Sequence, residues 1–129
     1  MELKLKHTLI FAAIITLIDL PWVNLIMVPK YKKLNVFDIN IRSDAAILAY
    51  LCVIISYPLI ISKFTTLKEQ LIVAASLGFI SYGIYAFTLA AIYNKYPMNL
   101  AIIETLWGTT LFTITTFLTH KIKNYIKKT

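Results

Sequence analysis

Residues 8–28 read TLIFAAIITLIDLPWVNLIMV, an apolar run of 21 residues whose single charged side chain is Asp19. An α-helix rises about 1.5 Å per residue, so this run can cross a hydrocarbon layer about 30 Å thick. Three more apolar windows, residues 45–62, 71–93 and 100–118, are nearly free of charge. Backbone groups in lipid need internal partners, and no window alternates like a membrane β-strand. The sequence therefore predicts an all-α, polytopic integral membrane protein built as an antiparallel bundle of four transmembrane helices.

The ends of these helices carry local signals. Residues 66–69, TLKE, form a capping box ahead of the third helix. Pro29 is expected to end the first helix, since proline interrupts helical hydrogen bonding. The chain is predicted to be a single membrane domain, 1–129, with residues 119–129 as a basic juxtamembrane tail. Residues 37–42 alternate apolar and polar side chains, as in an interfacial segment, a short strand or an ordinary loop.

The positions of the charged residues distinguish a basic membrane protein from a basic nucleic-acid-binding protein. The 129 residues are 59% apolar or aromatic and 15% charged, with 13 basic and six acidic side chains and a net charge of +7. Ordinary soluble domains contain about 25% charged residues. All 13 basic residues lie outside the apolar windows, so the charge is typical of membrane flanks and not of nucleic-acid binding. Eight flank the side of both termini and five the other side, which favours cytoplasmic termini.

The tail is basic and follows the fourth apolar window directly. Its lysines are Lys121, Lys123, Lys127 and Lys128. They are predicted to contact anionic lipid headgroups, and the plainer alternative is a topology signal. The predicted partner of the tail is therefore the lipid bilayer and not a nucleic acid. A second predicted partner is a further copy of the chain, in a homo-oligomer.

Two acids, Asp19 and Glu104, are the charged residues inside the apolar windows, and each precedes a tryptophan by three positions. At about 1.5 Å per residue, Asp19 and Trp107 lie roughly 17 Å from the same membrane face, and Trp22 and Glu104 roughly 21 Å. An indole N–H donates and a carboxylate accepts. Reciprocal tryptophan–carboxylate hydrogen bonds are therefore predicted if the first and fourth helices touch.

Three tyrosines, Tyr50, Tyr82 and Tyr85, fall in the same layer at roughly 17–21 Å. No Lys or Arg lies at that depth, so each acid is protonated, binds a cation or faces water. Either the layer is a proton or cation pathway, or its hydrogen bonds hold the helices together. Recognition of a ligand or lipid is a third interpretation.

The fourth helix also carries a polar stripe at helical spacing. Its members are Thr105, Thr109, Thr113, Thr116 and His120. The stripe lines a hydrated pathway, or its hydroxyls bond to carbonyls of their own helix in close helix contacts. In the third helix Ala74, Gly78 and Ser81 form a strip of small residues that suits close packing.

Catalytic motifs are missing from the sequence. It has no Ser-His-Asp arrangement, HExxH, CxxC or glycine-rich phosphate loop, so an enzyme is disfavoured and neither cofactor nor metal is predicted. The lone cysteine, Cys52, is expected to be a small packing residue.

The chain resembles an uncharacterised bacterial membrane-protein family, domain of unknown function 2177. The resemblance rests on Asp19 with Trp22, on Tyr85 with Thr88, and on the run Glu104, Trp107 and Gly108, where the family has Asp-x-x-Trp-Gly. Tyr96-Pro97 stands where the family has Trp-Pro, and Ala86 and Leu89 replace an acid and an amide. The resemblance implies four transmembrane helices, and adds Thr88 to the site residues.

Two hypotheses of function follow. In the first, the protein is a small multi-pass channel or transporter for protons or cations, a homo-oligomer that uses the buried acid pair. In the alternative, it is a structural or assembly protein, an envelope component or accessory subunit, whose acid, tryptophan and tyrosine cluster only holds helices together.

Overall fold

The computed structural model describes residues 2–35 and 40–128, and of Leu3 only the backbone. Helix α1 has three consecutive segments: α-helical Glu2–Trp22, π-helical Val23–Met27 and α-helical Val28–Leu34. Helix α2 covers Ser43–Leu59, and a 3₁₀ turn, Ile61–Lys63, follows it. Helix α3 covers Leu67–Ile92 and α4 covers Met98–Lys128. The alternation predicted at 37–42 lies mostly outside the described residues, and residues 40–42 are not helical.

The four-helix prediction is confirmed. Each helix is long and apolar enough to cross a membrane, and the described residues form no β-strand. The capping box at α3 is also present, because the Thr66 hydroxyl accepts from the Glu69 N–H and the Glu69 carboxylate accepts from the Thr66 N–H. Helix α4 continues through the predicted tail to Lys128, so the basic residues there lie on a helix.

The prediction that Pro29 ends the first helix is wrong. In the π-helical segment the Val28 N–H donates to the Val23 carbonyl, five residues back, and Pro29 lies in the first turn of the α-helical segment that follows. A proline at the start of a helical segment costs little, because its missing N–H needs no partner there. The helix ends at Asn35, in the left-handed conformation. As a result, α1 carries Tyr31 as a helical residue.

Helix α4 lies at the centre of the bundle. Half of its apolar window is buried, compared with 11–17% for the other three helices. It packs along α3 and against α1, while α1 packs on its other side against α2. Within the described residues, α2 approaches α3 only through the 3₁₀ turn that follows α2. The bodies of α2 and α3 therefore stand apart, with a cleft between them.

Two apolar clusters lie at opposite ends of the bundle. One contains Phe11, Ile15, Tyr57, Ile61, Ala74, Leu111 and Phe112, and the other Met27, Tyr31, Ala86, Tyr96, Leu100 and Ala101. Along α1, Asp19 comes between the two clusters, and along α4, Glu104 does so. Both acids thus belong to a polar layer in the middle of the bundle.

Close contact between α3 and α4 depends on small residues. A Cβ added at Gly78 would stand 2.2 Å from the backbone oxygen of Gly108, so only glycine fits there. Ala74 and Gly78 of the predicted strip are buried, whereas Ser81 is exposed. Two of the three residues of the strip therefore take part in helix packing, and the third does not.

Candidate functional site

The Asp19 carboxylate joins three helices. With 6% of its surface exposed, it accepts from the Tyr50 hydroxyl of α2 at 2.8 Å and from the Trp107 Nε1 of α4 at 3.0 Å. The bond to Trp107 is one half of the expected reciprocal pair. Asp19 and Trp107 are therefore level with each other in the antiparallel pair α1 and α4, as counting residues along the two helices predicts.

The other half of that expectation is wrong. Trp22 does not donate to Glu104 but stacks on Trp107, with ring centroids 4.3 Å apart and planes at 6°. Stacked aromatic rings are favourable beyond the area they bury. The rings of the two indoles face each other, so the partners of Glu104 come from elsewhere.

Glu104 is enclosed by two tyrosines that were absent from the predicted site. The hydroxyls of Tyr31 and Tyr96 both donate to its carboxylate, and only 5% of the residue is exposed. Tyr31 was missed because the first helix was expected to end before it. Tyr96 was noted only in the Tyr96-Pro97 pair of the family resemblance, although a tyrosine just before a helix that carries a buried acid could have indicated the contact.

A cleft between α2 and α3 reaches the Asp19 carboxylate. Its volume is about 530 Å³, within the range of small-molecule sites. The lining is mainly apolar, with a few polar groups near Asp19: Tyr50, Cys52, Ser81, Tyr82 and Tyr85. Cys52 is exposed in this cleft and so is not the packing residue that the sequence suggests.

Tyr85 is a neighbour of both acid sites. It lines the cleft beside Asp19, and its side chain interacts with that of Tyr31, which donates to Glu104. Thr88, by contrast, is exposed on α3.

Hydroxyls of the predicted polar stripe bond mainly to their own helix. Thr105, Thr109 and Thr113 each donate to the carbonyl four residues earlier, at 2.7–2.8 Å. The Thr116 hydroxyl is buried and has no partner in the described part of the chain. The His120 Nε2 lies 3.0 Å from the amide nitrogen of Asn124. These contacts are those of the packing alternative.

The tail lysines divide into two groups. Lys123 and Lys127 line a cavity together with residues from the start of α1. The Lys121 ammonium lies 5.4 Å from the centre of the Phe117 ring, and Lys128 is exposed at the last turn of α4.

A family profile described as "Predicted membrane protein (DUF2177)" matches residues 4–120. The chain belongs to this family. The matched range contains the second and third helices, most of the first and fourth, both buried acids and their tyrosine and tryptophan partners, and it ends before the four tail lysines. No curated protein and no solved structure matches the chain.

The candidate site of this DUF2177 protein centres on its two buried carboxyl groups. In the described ranges, no three His, Cys, Asp or Glu side chains come together as a metal site, and no Lys or Arg pairs with Asp19 or Glu104. A carboxyl group in such surroundings can hold a proton, accept hydrogen bonds or bind a cation.

Proposed function

We propose that the protein is a small membrane channel or transporter for protons or other cations, with Asp19 as its ion-binding group. The observation that carries the proposal is the position of Asp19 on the wall of an open cleft of about 530 Å³. Ionisable side chains within membrane spans commonly mark ion pathways. Asp19 is nearly as buried as Glu104, with 6% and 5% of their surfaces exposed, and it differs from Glu104 in lining the cleft.

The tyrosines support a cation in particular. Tyr50, Tyr82 and Tyr85 line the cleft around Asp19, and the faces of aromatic rings attract cations. The Tyr85–Tyr31–Glu104 connection supports a proton path from the cleft into the bundle. In this proposal Asp19 takes up the ion, and Glu104 is a second proton-holding group behind it.

Flux through liposomes tests the proposal directly. Purified protein is reconstituted, and proton, potassium and tetraphenylphosphonium movements are each measured under an imposed gradient. We expect wild-type flux of at least one of them, and Asp19→Asn is expected to abolish it, because the neutral amide has no negative charge to attract a cation and takes up no proton. Asp44→Asn is the matched control, since Asp44 is an exposed carboxylate paired with Arg42, and its flux is expected to equal that of the wild type.

Two outcomes would overturn the proposal. The first is no wild-type flux of any of the three ions above that of empty liposomes. The second is wild-type flux that survives Asp19→Asn. Loss of flux in Asp19→Asn counts only if the variant keeps the helical circular dichroism and elution volume of the wild type.

The structural alternative is favoured by a different observation, the enclosure of Glu104. The Glu104 carboxylate accepts from two tyrosine hydroxyls, and only 5% of the residue is exposed. These bonds connect α4 with α1 and with the turn before α4, so they are suited to holding the three together. If the protein is an assembly component, Asp19→Asn and Glu104→Gln reduce stability or partner capture, and no flux is found at all.

We further propose that both termini are cytoplasmic and that the active form is a homo-oligomer. The excess of basic residues on the terminal side supports the orientation. The narrowness of a single four-helix bundle supports the oligomer. Protease added to right-side-out vesicles is expected to spare a C-terminal tag, and native mass spectrometry is expected to show more than one subunit. Cleavage of the tag, or monomers alone, contradicts the respective statement.

A further inference from the structure

A second cavity lies at the other end of the bundle from Glu104, between the start of α1 and the end of α4. Its volume is about 290 Å³, and it is lined by Lys6, His7, Ile10, Lys123, Ile126 and Lys127. The two helices therefore bring three ammonium groups and an imidazole to one place, and no acid is among the lining residues.

Such a convergence of like charges is unfavourable without a counter-ion. Each positive charge repels the others at short range, and salt screens that repulsion only in part. An anion in the cavity removes the repulsion and gains charge-assisted hydrogen bonds from the lysines, which bind phosphate groups well as point charges.

The place and the lining indicate which anion fits. The cavity lies at the start of the first apolar window and beyond the end of the fourth, where membrane-spanning helices are expected to meet lipid headgroups. Ile10 and Ile126 add an apolar side to the basic one. A free inorganic anion makes no use of that side, whereas the glycerol and upper acyl carbons of a phospholipid pack against it.

We propose that this cavity binds the phosphate headgroup of an anionic phospholipid, which holds the N-terminal turns of α1 to the C-terminal turns of α4. Of the four tail lysines predicted to contact headgroups, two line this cavity. Lys123 and Lys127 belong to the site, joined by Lys6 and His7, whereas Lys121 and Lys128 lie outside it.

The four tail lysines provide a matched comparison. Lys123→Gln/Lys127→Gln and Lys121→Gln/Lys128→Gln remove the same charge from the same helix, and only the first pair lines the cavity. Binding of dioctanoyl phosphatidylglycerol to the full-length protein in neutral detergent is measured by native mass spectrometry. We expect the cavity variant to bind about 30-fold more weakly than the wild type, and the control variant to lose only a few-fold.

A second comparison tests the α1 side of the cavity. Lys6→Gln is expected to weaken lipid binding several-fold more than Lys4→Gln, because Lys4 does not line the cavity. The variants should keep the helical circular dichroism of the wild type, since all these lysines are at least partly exposed.

The same measurements can overturn the proposal. Equal losses in the two tail variants mean that the lipid responds to overall charge and not to this cavity. Binding of dioctanoyl phosphatidylcholine as tight as that of phosphatidylglycerol contradicts recognition of an anion. Displacement of the lipid by an equal concentration of inorganic phosphate shows that a free anion is the ligand.

Discussion

Asp19 and Glu104 are both buried carboxyl groups, yet their surroundings suit them to different roles. Asp19 accepts from one tyrosine and one tryptophan and borders an open cleft. Glu104 accepts from two tyrosines and is enclosed. A buried carboxylate that accepts hydrogen bonds within a membrane contributes modestly to stability. When a cavity reaches such a carboxylate, it is a candidate for ion binding.

At the scale of single residues, we expect the hydroxyls around Glu104 to stabilise the fold. Tyr31→Phe and Tyr96→Phe each delete one donor to the carboxylate and keep the ring. Each is expected to lower the free energy of unfolding by about 0.6 kcal/mol, the average for such bonds in membranes, and by less than about 2 kcal/mol.

The measurement is equilibrium unfolding in mixed micelles titrated with sodium dodecyl sulfate. Tyr125→Phe is the control, because Tyr125 is 72% exposed near the end of α4. If the control loses as much stability as the two variants, the hydroxyl–carboxylate bonds do not stabilise the fold.

At the scale of the elements, the α3–α4 pair depends on backbone contact. Helices in lipid gain little from burying apolar side chains, so close packing of small residues has to hold them together. Gly78 lies against the Gly108 backbone, where no side chain fits, whereas a Cβ at Gly83 would meet the Thr105 side chain at ordinary contact distances, its methyl at 3.6 Å and its hydroxyl at 3.9 Å.

This difference predicts opposite results for two substitutions on one helix. Gly78→Ala is expected to destabilise the protein by about 1–3 kcal/mol, because α3 and α4 must separate. Gly83→Ala is expected to be neutral or to stabilise it by up to about 1 kcal/mol, because alanine is the better helix former and its methyl finds room. Unfolding in mixed micelles measures both, and equal effects contradict the described contact.

At the scale of the whole molecule, the order of the helices creates the cleft. Helices α2 and α3 pack on different partners, α1 and α4, so their bodies do not close on each other. The space left between them is the cleft that Asp19 lines. The arrangement of helices, more than any local motif, thus makes this acid a candidate for ion binding.

The single cysteine of the chain reports on this cleft. Cys52 lines it, and only a thiolate in contact with water reacts readily with a maleimide. We expect N-ethylmaleimide to label Cys52 in liposomes several-fold faster than a cysteine placed at Leu17 in a Cys52→Ser background. Leu17 is 73% exposed and lies at a similar depth, roughly 15 Å from the same end, on a surface away from the cleft. Equal labelling rates show that water does not enter the cleft.

The sequence by itself determined the four helices, the antiparallel register of Asp19 with Trp107 and the position of the two acids within the apolar windows. These properties follow from hydropathy and from a constant rise per residue, both of which are read along one dimension. The continuation of α1 beyond Pro29 was not predicted, because a π-helical segment places Pro29 at the start of a new helical segment.

Only the tertiary structure decided that α4 is central, that Trp22 stacks on Trp107, that Tyr31 and Tyr96 enclose Glu104 and that a cleft reaches Asp19. The physical reason is that these helices are apolar on nearly every side. In lipid such a helix has no amphipathic face that tells which neighbour it meets. Its partners are selected by close contacts such as that of Gly78 with Gly108, and those depend on helices distant in the sequence.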